Sequence, residues 1–172
     1  PYEESMCVPF MMRWPGQLAP GRDDVLFSAP DIYPSLLDLL GFGRDVPPEV
    51  EGVSFADRFR GGSSGSGPRS QLYLHIPAEH SPRPDFGERG VRTDRYTLVL
   101  KTEEGGILRE VQLFDRLRDP YQMQNLAGER VDLVQSLVKE ELIPWLERTG
   151  DPWRVPDQRH FTGTPTGEHH IG

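Results

Sequence analysis

A single cysteine, Cys7, stands in 172 residues. No internal disulfide can therefore staple the fold, and no second thiol is present to help build a structural zinc cluster. Lysine is almost as scarce. Of the 19 basic residues only Lys101 and Lys139 are lysines, and the arginines lie unclustered along the chain. Against 27 acidic residues the net charge is -8, which excludes nucleic acid as the expected partner, because a phosphate backbone attracts concentrated Lys and Arg. No apolar run approaches the roughly 20 residues that cross a bilayer, so no spanning helix is expected. The run at residues 61–67, GGSSGSG, lacks the Gly-Lys-Ser/Thr ending of a phosphate loop, and there is no Gly-x-Ser-x-Gly nucleophile elbow. The chain opens at Pro1 without the basic and apolar regions of a signal peptide and reads as an excerpt; its compartment is not indicated.

What is abundant is Gly and Pro. Together 18 Gly and 17 Pro make about a fifth of the chain, which predicts short elements and much irregular connection. Residues 7–14, CVPFMMRW, form an apolar run bounded by Pro15-Gly16 and predict a strand buried on both faces of a larger sheet. Residues 31–40, DIYPSLLDLL, predict a helix with Asp31 as cap, Pro34 in its first turn, and Ile32, Leu36, Leu37 and Leu40 on its inner face. Residues 53–59 predict a shorter turn capped by Ser54, with Phe55 and Phe59 on one side. After the mobile Gly/Ser run, residues 71–76 alternate as a strand, with Leu72, Leu74 and Ile76 on one face. Residues 77–87 read as an irregular loop. Residues 90–101 and 107–114 predict an antiparallel hairpin turned at 103–106, with Tyr96, Leu98 and Leu100 on one face. Residues 119–125 carry turn chemistry. Residues 129–148 predict a helix covering that sheet through Val131, Val134, Val138, Leu142 and Trp145, with a kink or break within 140–145 imposed by Pro144. Beyond Gly150 a coil tail should fray or dock.

The densest ionisable group near a loop is His75, His80, Asp85, Glu88, Arg89 and Arg92. Arginine suits the clamping of sulfate, phosphate or carboxylate, so His75, His80, Arg89 and Arg92 are the candidate substrate-binding residues. The competing reading is an exposed, charge-balanced loop beside an edge strand. Asp23-Asp24 reads as a solvated turn because further oxygen ligands are not at hand. The pair His169-His170 lies near the chain end, where metal affinity would be incidental. No catalytic residue and no metal ligand is assigned.

Several segments in order resemble the C-terminal part of an arylsulfatase-like sulfatase of the alkaline phosphatase superfamily. Pro1-Tyr2-Glu3-Glu4-Ser5, Val8-Pro9 and Arg13-Trp14-Pro15-Gly16 resemble the segment "TPYEES-x-RVP-x-x-x-RWPG". Residues 29–41 resemble the helix "HVDLAPTLLDLAG", and residues 51–55 the turn "QGRSL". Residues 90–99 resemble "VRTDRYKLI", and Leu113-Phe114-Asp115, Asp119-Pro120 and Asn125-Leu126-Ala127 resemble "LYDLEKDPYEMNNLA". The resemblance covers about residues 1–152. Cys7 stands where the family's usual Arg precedes Val-Pro, and Thr97 where it has Lys. Cys7 is not the converted cysteine of a Cys-x-Pro-x-Arg motif, since Met11 occupies the required Arg position; it is expected to pack as an inert, small hydrophobe.

The resemblance implies an α/β fold: the C-terminal part of an alkaline-phosphatase-like sulfatase, comprising the edge of a large mixed sheet plus a small antiparallel sheet packed on a C-terminal helix. Residues 1–60 would end the large α/β domain, 61–70 form a flexible linker or loop, 71–150 the sheet-and-helix subdomain, and 151–172 a coil tail. The catalytic residues of the family lie upstream, so this piece alone should be inactive, contributing scaffold and a wall of the substrate cleft. The whole protein would use Ca2+ and a formylglycine, neither held by this piece. Its partners would be the upstream catalytic domain of the same protein and a sulfated small molecule or glycan. A phosphonate or phosphate ester hydrolase of the same superfamily is the alternative enzyme, and a non-enzymatic binding or assembly module the alternative class. An apolar sheet edge exposed around Phe10 and Met12 would self-associate.

Overall fold

The computed structural model describes residues 2–18, 20–62, 67–75, 84–157 and 161. It begins with one helical turn, α1 (Glu3–Met6). The chain divides into two units, Val8–Gln71 on one hand and Pro1–Cys7 with Leu72–Gly172 on the other, so α1 belongs with the later sequence.

In the unit Val8–Gln71 the expected strand at residues 7–14 does not form: from Cys7 to Trp14 the chain is irregular and almost wholly exposed, Cys7 included. A strand buried on two faces needs a neighbour on each edge, and Pro9 has no N–H to offer one. Instead, Phe10 packs on Phe27, whose ring meets Phe55 and Phe59 edge to face. The helix arrives as α2 (Ala29–Leu39), but its cap is Ser28 and not Asp31. Asp31 closes a capping box from the third position, accepting from the Ser28 N–H at 2.9 Å. Its other carboxylate oxygen accepts the N–H of Val53, and Ser35 Oγ accepts that of Phe55, both at 2.9 Å. These two buried polar side chains thus take up backbone donors that the following segment could not satisfy itself. The consequence is a correction to the helix face: Asp31, Pro34, Ser35 and Leu39 point inward, while Leu36 and Leu40 are exposed.

Pro34 has no N–H for the carbonyl of Pro30 four residues back. Gly52 lies against that carbonyl so closely that a Cβ would sit 2.0 Å from the oxygen. At the other end of α2, Arg60 donates to the carbonyls of Asp38 and Leu39 at 3.0 and 3.1 Å, placing positive charge where the helix leaves carbonyls unpaired. The next turn, α3 (Ala56–Phe59), has Phe55 and not the expected Ser54 at its N-cap position. Ser54 Oγ accepts from Ala56 at 3.2 Å, and Phe55 stacks on Phe59.

The other unit is built on a sheet in the order β1-β2-β3-β4, with β1 at Ser70–His75, β2 at Gly87–Thr93, β3 at Tyr96–Glu103 and β4 at Ile107–Asp115. The stretch 90–101, read as one strand, is two strands joined by a tight turn. Thr93 Oγ1 accepts the N–H groups of Tyr96 and Arg95 at 2.8 and 3.3 Å, so a side chain reverses the chain where no Gly or Pro signals it. The hairpin β3–β4 forms as expected, with Leu98 opposite Leu113 and Leu100 opposite Val111. Tyr96, Leu98 and Leu100 share the face that meets the helix.

That helix is continuous but changes pitch. Its parts are α4 (Val131–Leu137), a wide turn at Val138–Leu142, and α5 (Ile143–Thr149). In the wide turn the Ile143 N–H reaches the carbonyl of Val138, five residues back. Pro144 then falls in the opening turn of α5, where a missing N–H costs little. In place of the expected break, the helix carries a π-type turn at Val138–Leu142, and it has a packing effect. Residues four apart drift by about 40° per step on a regular helix, and the wide turn brings Val134, Val138, Leu142 and Leu146 back to one core. Leu146 takes the place expected of Trp145, which packs at the core's margin.

The sequence after Gly150 docks rather than frays as far as it is described, burying Trp153 and Phe161. The Gly/Ser run at 63–66, most of the expected loop at 77–87, and His169-His170 lie outside the described residues. No helix among the described residues is long and apolar enough to cross a membrane. Replacing Gly52 by Ala should force the segment around residue 52 away from the Pro30 carbonyl of α2 and destabilise the unit by about 1–3 kcal/mol, the ordinary cost of overpacking, read as a lower urea midpoint.

Candidate functional site

The four candidate residues do not converge. His75 ends β1 and is exposed, and its carbonyl lies against Gly87 at the start of β2. Arg92 is five residues further along β2, roughly 17 Å away at the usual strand rise. Arg89 and Arg92, three apart on one strand, point to opposite faces of the sheet. His80 lies outside the described residues.

Arg89 is wholly enclosed, at 0% exposure. Its Nε and Nη2 donate to the two carboxylate oxygens of Asp151 at 2.6 and 3.2 Å, and Nη1 to the carbonyl of Glu88 at 3.0 Å. The geometry originates at the end of α5. Gly150 adopts φ 63°, and the Asp151 N–H returns to the Leu146 carbonyl at 3.0 Å, the left-handed cap that ends many helices. This reversal aims Asp151 at the sheet. Its Oδ1 also accepts the N–H of Trp153 at 2.8 Å, and the Trp153 indole donates to Thr102 Oγ1 at 3.1 Å. The guanidinium expected to meet substrate therefore joins sheet, helix end and tail.

Arg92 is held on the other face. Glu3 accepts both Arg92 and Arg116 in fork fashion, the Nε donors at 3.2 and 3.1 Å and the Nη2 donors at 2.5 and 3.0 Å. Arg116 adds bonds to the carbonyls of Thr93 and Asp94, each 2.9 Å. The Glu3 N–H donates to Gln122 Oε1, and buried Gln122 adopts φ 52°, a region costly for a side chain with a β-carbon. Burial alone would push the Glu3 carboxyl up, but the two guanidiniums outweigh it and hold the group below the usual carboxylate value. Asp115 is likewise lowered, chiefly by Arg95 at 2.7 and 3.0 Å, with help from the Arg118 and Leu117 N–H groups. Glu3, Arg116 and Asp151 were not singled out in the sequence. The arginines that Glu3 and Asp151 accept from lie 62 to 113 positions away, and no local spacing signals such a contact.

A polar row crosses the same face. Tyr73 donates to Glu88 at 3.3 Å, and Lys101 lies 3.8 Å from Glu88 and 2.9 Å from Glu110. Burial, then the Glu88 charge, push the Tyr73 hydroxyl up to about 12. Burial also works against the Glu110 charge, but Lys101 and Gln112 prevail and lower its pKa. Among the described residues no group of three or more His, Cys, Asp or Glu is arranged to hold a metal ion. None of them is therefore assigned to the cation that the sulfatase resemblance implies.

The unit is thus a small antiparallel sheet backed by one helix, with Arg89 paired to Asp151 and Arg92 and Arg116 to Glu3. The family described as N-sulphoglucosamine sulphohydrolase, C-terminal, matches residues 1–147. The chain is 38% identical over 165 residues to an endo-4-O-sulfatase of Bacteroides thetaiotaomicron, covering 89% of this chain and 32% of that protein. A solved structure from Bacteroides thetaiotaomicron, described under metabolism of multiple glycosaminoglycans, superposes with a TM-score of 0.73 at 36% identity, covering 82% of this chain and 31% of that one. A phosphonate monoester hydrolase from Silicibacter pomeroyi, with a TM-score of 0.52 at 20% identity over 70% of this chain and 25% of that one, shares the fold alone. The chain belongs to the sulfatase family, as its C-terminal region, and its fold is the C-terminal part of the alkaline-phosphatase-like architecture. It spans about a third of the length of the relatives it matches.

Two measurements check this wiring. Asp151→Asn should cost about 3–5 kcal/mol, the loss expected when one partner of a buried pair is removed, while Arg118→Gln on the exposed surface should shift the urea midpoint little. Because the folded-state value of Glu3 is depressed, its contribution is present above the ordinary carboxylate range and lost as pH falls through the lowered value. Glu3→Gln should therefore be less stable than the unaltered chain at pH 7, with the two urea midpoints converging in acid.

Proposed function

We propose that the protein to which this region belongs hydrolyses sulfate esters of a small molecule or glycan, and that this region is its scaffold and one wall of the substrate cleft. The observation that carries the reading is the family match across residues 1–147, joined to 38% identity with a sulfatase. Attack on sulfur by a formylglycine, and charge stabilisation by a calcium ion, belong in this reading to the upstream catalytic domain. The cation has no ligand set among the described residues.

Within that wall we assign substrate contact to His75, exposed at the end of β1. Arg89 and Arg92 are scaffold residues, since their guanidiniums are taken up by Asp151 and Glu3. A sulfated oligosaccharide would extend to the wall, whereas a small aryl sulfate would stay at the reacting centre. The sulfatase reading is preferred to a phosphonate hydrolase because the identity above 30% is with a sulfatase.

The test is an assay of the complete polypeptide against aryl sulfate and aryl phosphate esters. Faster sulfate release is expected; faster phosphate release would transfer the protein to the alternative enzyme. His75→Ala should raise KM for a sulfated oligosaccharide about fivefold, the equivalent of one hydrogen bond, with aryl sulfate turnover unchanged. The isolated 172-residue chain should release no sulfate above background.

A further inference from the structure

Gly87 opens β2 against the backbone of His75, and its place is set from three directions. It adopts φ 105°, and a Cβ there would stand 2.9 Å from the His75 carbonyl oxygen and 3.4 Å from Arg89 Nη1, so glycine alone lets the two backbones approach this closely. Just before it, the Asp85 carboxylate accepts the Gly105 N–H and the Asp85 carbonyl accepts the Gly106 N–H, each at 3.0 Å. The Pro84 carbonyl accepts the Arg154 N–H at 2.8 Å. Across the sheet Gly87 pairs with Thr102 of β3. The Trp153 indole donates to Thr102 Oγ1 at 3.1 Å, and Thr102 Oγ1 donates to the Gly87 carbonyl at 3.2 Å.

A hydroxyl has one proton to give. Because the indole N–H occupies an acceptor site on Thr102, that proton is turned toward Gly87, and the two bonds polarise one another. Thr102 and Trp153 are 5% and 4% exposed, so water does not replace either bond. Trp153 is itself fixed by its N–H to Asp151 Oδ1 at 2.8 Å, and it lies past residues 1–147 that the family matches. We propose that Thr102 and Trp153 are positioning residues for His75. Through the Thr102 hydroxyl the docked tail fixes the Gly87 backbone on which the end of β1 rests, and so sets where His75 meets a sulfated oligosaccharide. The role of His75 in this inference rests on the substrate contact proposed above.

The test compares variants of the complete polypeptide: Thr102→Val keeps the shape of the side chain without its hydroxyl, and Thr102→Ser keeps the hydroxyl. The ratio of kcat/KM for a sulfated oligosaccharide to that for an aryl sulfate should fall about threefold in Thr102→Val, less than the loss of His75 itself. Thr102→Ser should restore the ratio, and Trp153→Phe, which removes the indole N–H, should lower it as Thr102→Val does. A defect of stability alone lowers both substrates alike and leaves the ratio where it was. In a His75→Ala background Thr102→Val should cause no further fall, because the two side chains act in series. An unchanged ratio in Thr102→Val, or an equal fall in both backgrounds, would overturn the proposal. Hydrogen exchange read by mass spectrometry on the peptides containing His75 and Gly87 gives a measure independent of activity: exchange should be about tenfold faster in Thr102→Val than in Thr102→Ser. If His75→Ala leaves oligosaccharide hydrolysis intact, the substrate contact falls and exchange alone decides the positioning, with equal rates in the two variants overturning it.

Discussion

A guanidinium cannot lose its proton to suit its surroundings, so an arginine withdrawn from water must be met by fixed charge and fixed acceptors. Arg89 is in that position, and Asp151 meets it with both oxygens. The requirement propagates outward. Asp151 can face β2 only because the chain reverses at Gly150, and the reversal depends on α5 ending where it does. That end in turn depends on the wide turn that returns Leu142 and Leu146 to the core and leaves Pro144 in the opening turn of α5. Trp153 completes the arrangement by bonding Thr102 on β3. One buried charge thus determines the relation of sheet, helix and tail within this unit.

The two arginines of β2 show how a strand separates similar side chains. Alternation sends Arg89 toward the helix and Arg92 toward α1, so a cluster suggested by proximity in sequence is divided by the pleat. On the Arg92 side a single carboxylate serves two guanidiniums. The pair leaves one positive charge in excess locally, and that excess lowers the Glu3 pKa in spite of burial. Such a site is satisfied internally and has little capacity left for an anionic ligand.

Legibility in the sequence followed the range of the interactions. The hairpin β3–β4, the stripe Val134, Val138 and Leu142, and the Pro144 irregularity were all visible, because alternation, helical spacing and a missing N–H act over a few residues. The turn after Thr93 was not, since a threonine hydroxyl replaced the Gly or Pro that usually marks reversal. Residues 7–14 misled for a different reason. Apolar composition states that a segment will be buried, but not by what, and the strand reading supplied a pairing that residues 7–14 do not form. Arg89 had the composition of a ligand-binding residue, and its partner 62 positions away could be found only in three dimensions.

The inward face of α2 is a further case in which periodicity named the wrong side. Leu36, Leu37 and Leu40 were placed inside because hydrophobic burial dominates such assignments. The inner positions instead went to Pro34 and Leu39 together with Asp31 and Ser35, whose acceptors the segment 53–55 requires. Leaving a buried N–H unpaired costs about 1–3 kcal/mol, comparable to the roughly 1.5–3 kcal/mol from burying a leucine, so neither demand overrides the other within a single packing layer. The buried face of α2 meets both at once, giving Asp31 and Ser35 to backbone donors while Pro34 and Leu39 bury apolar surface beside them.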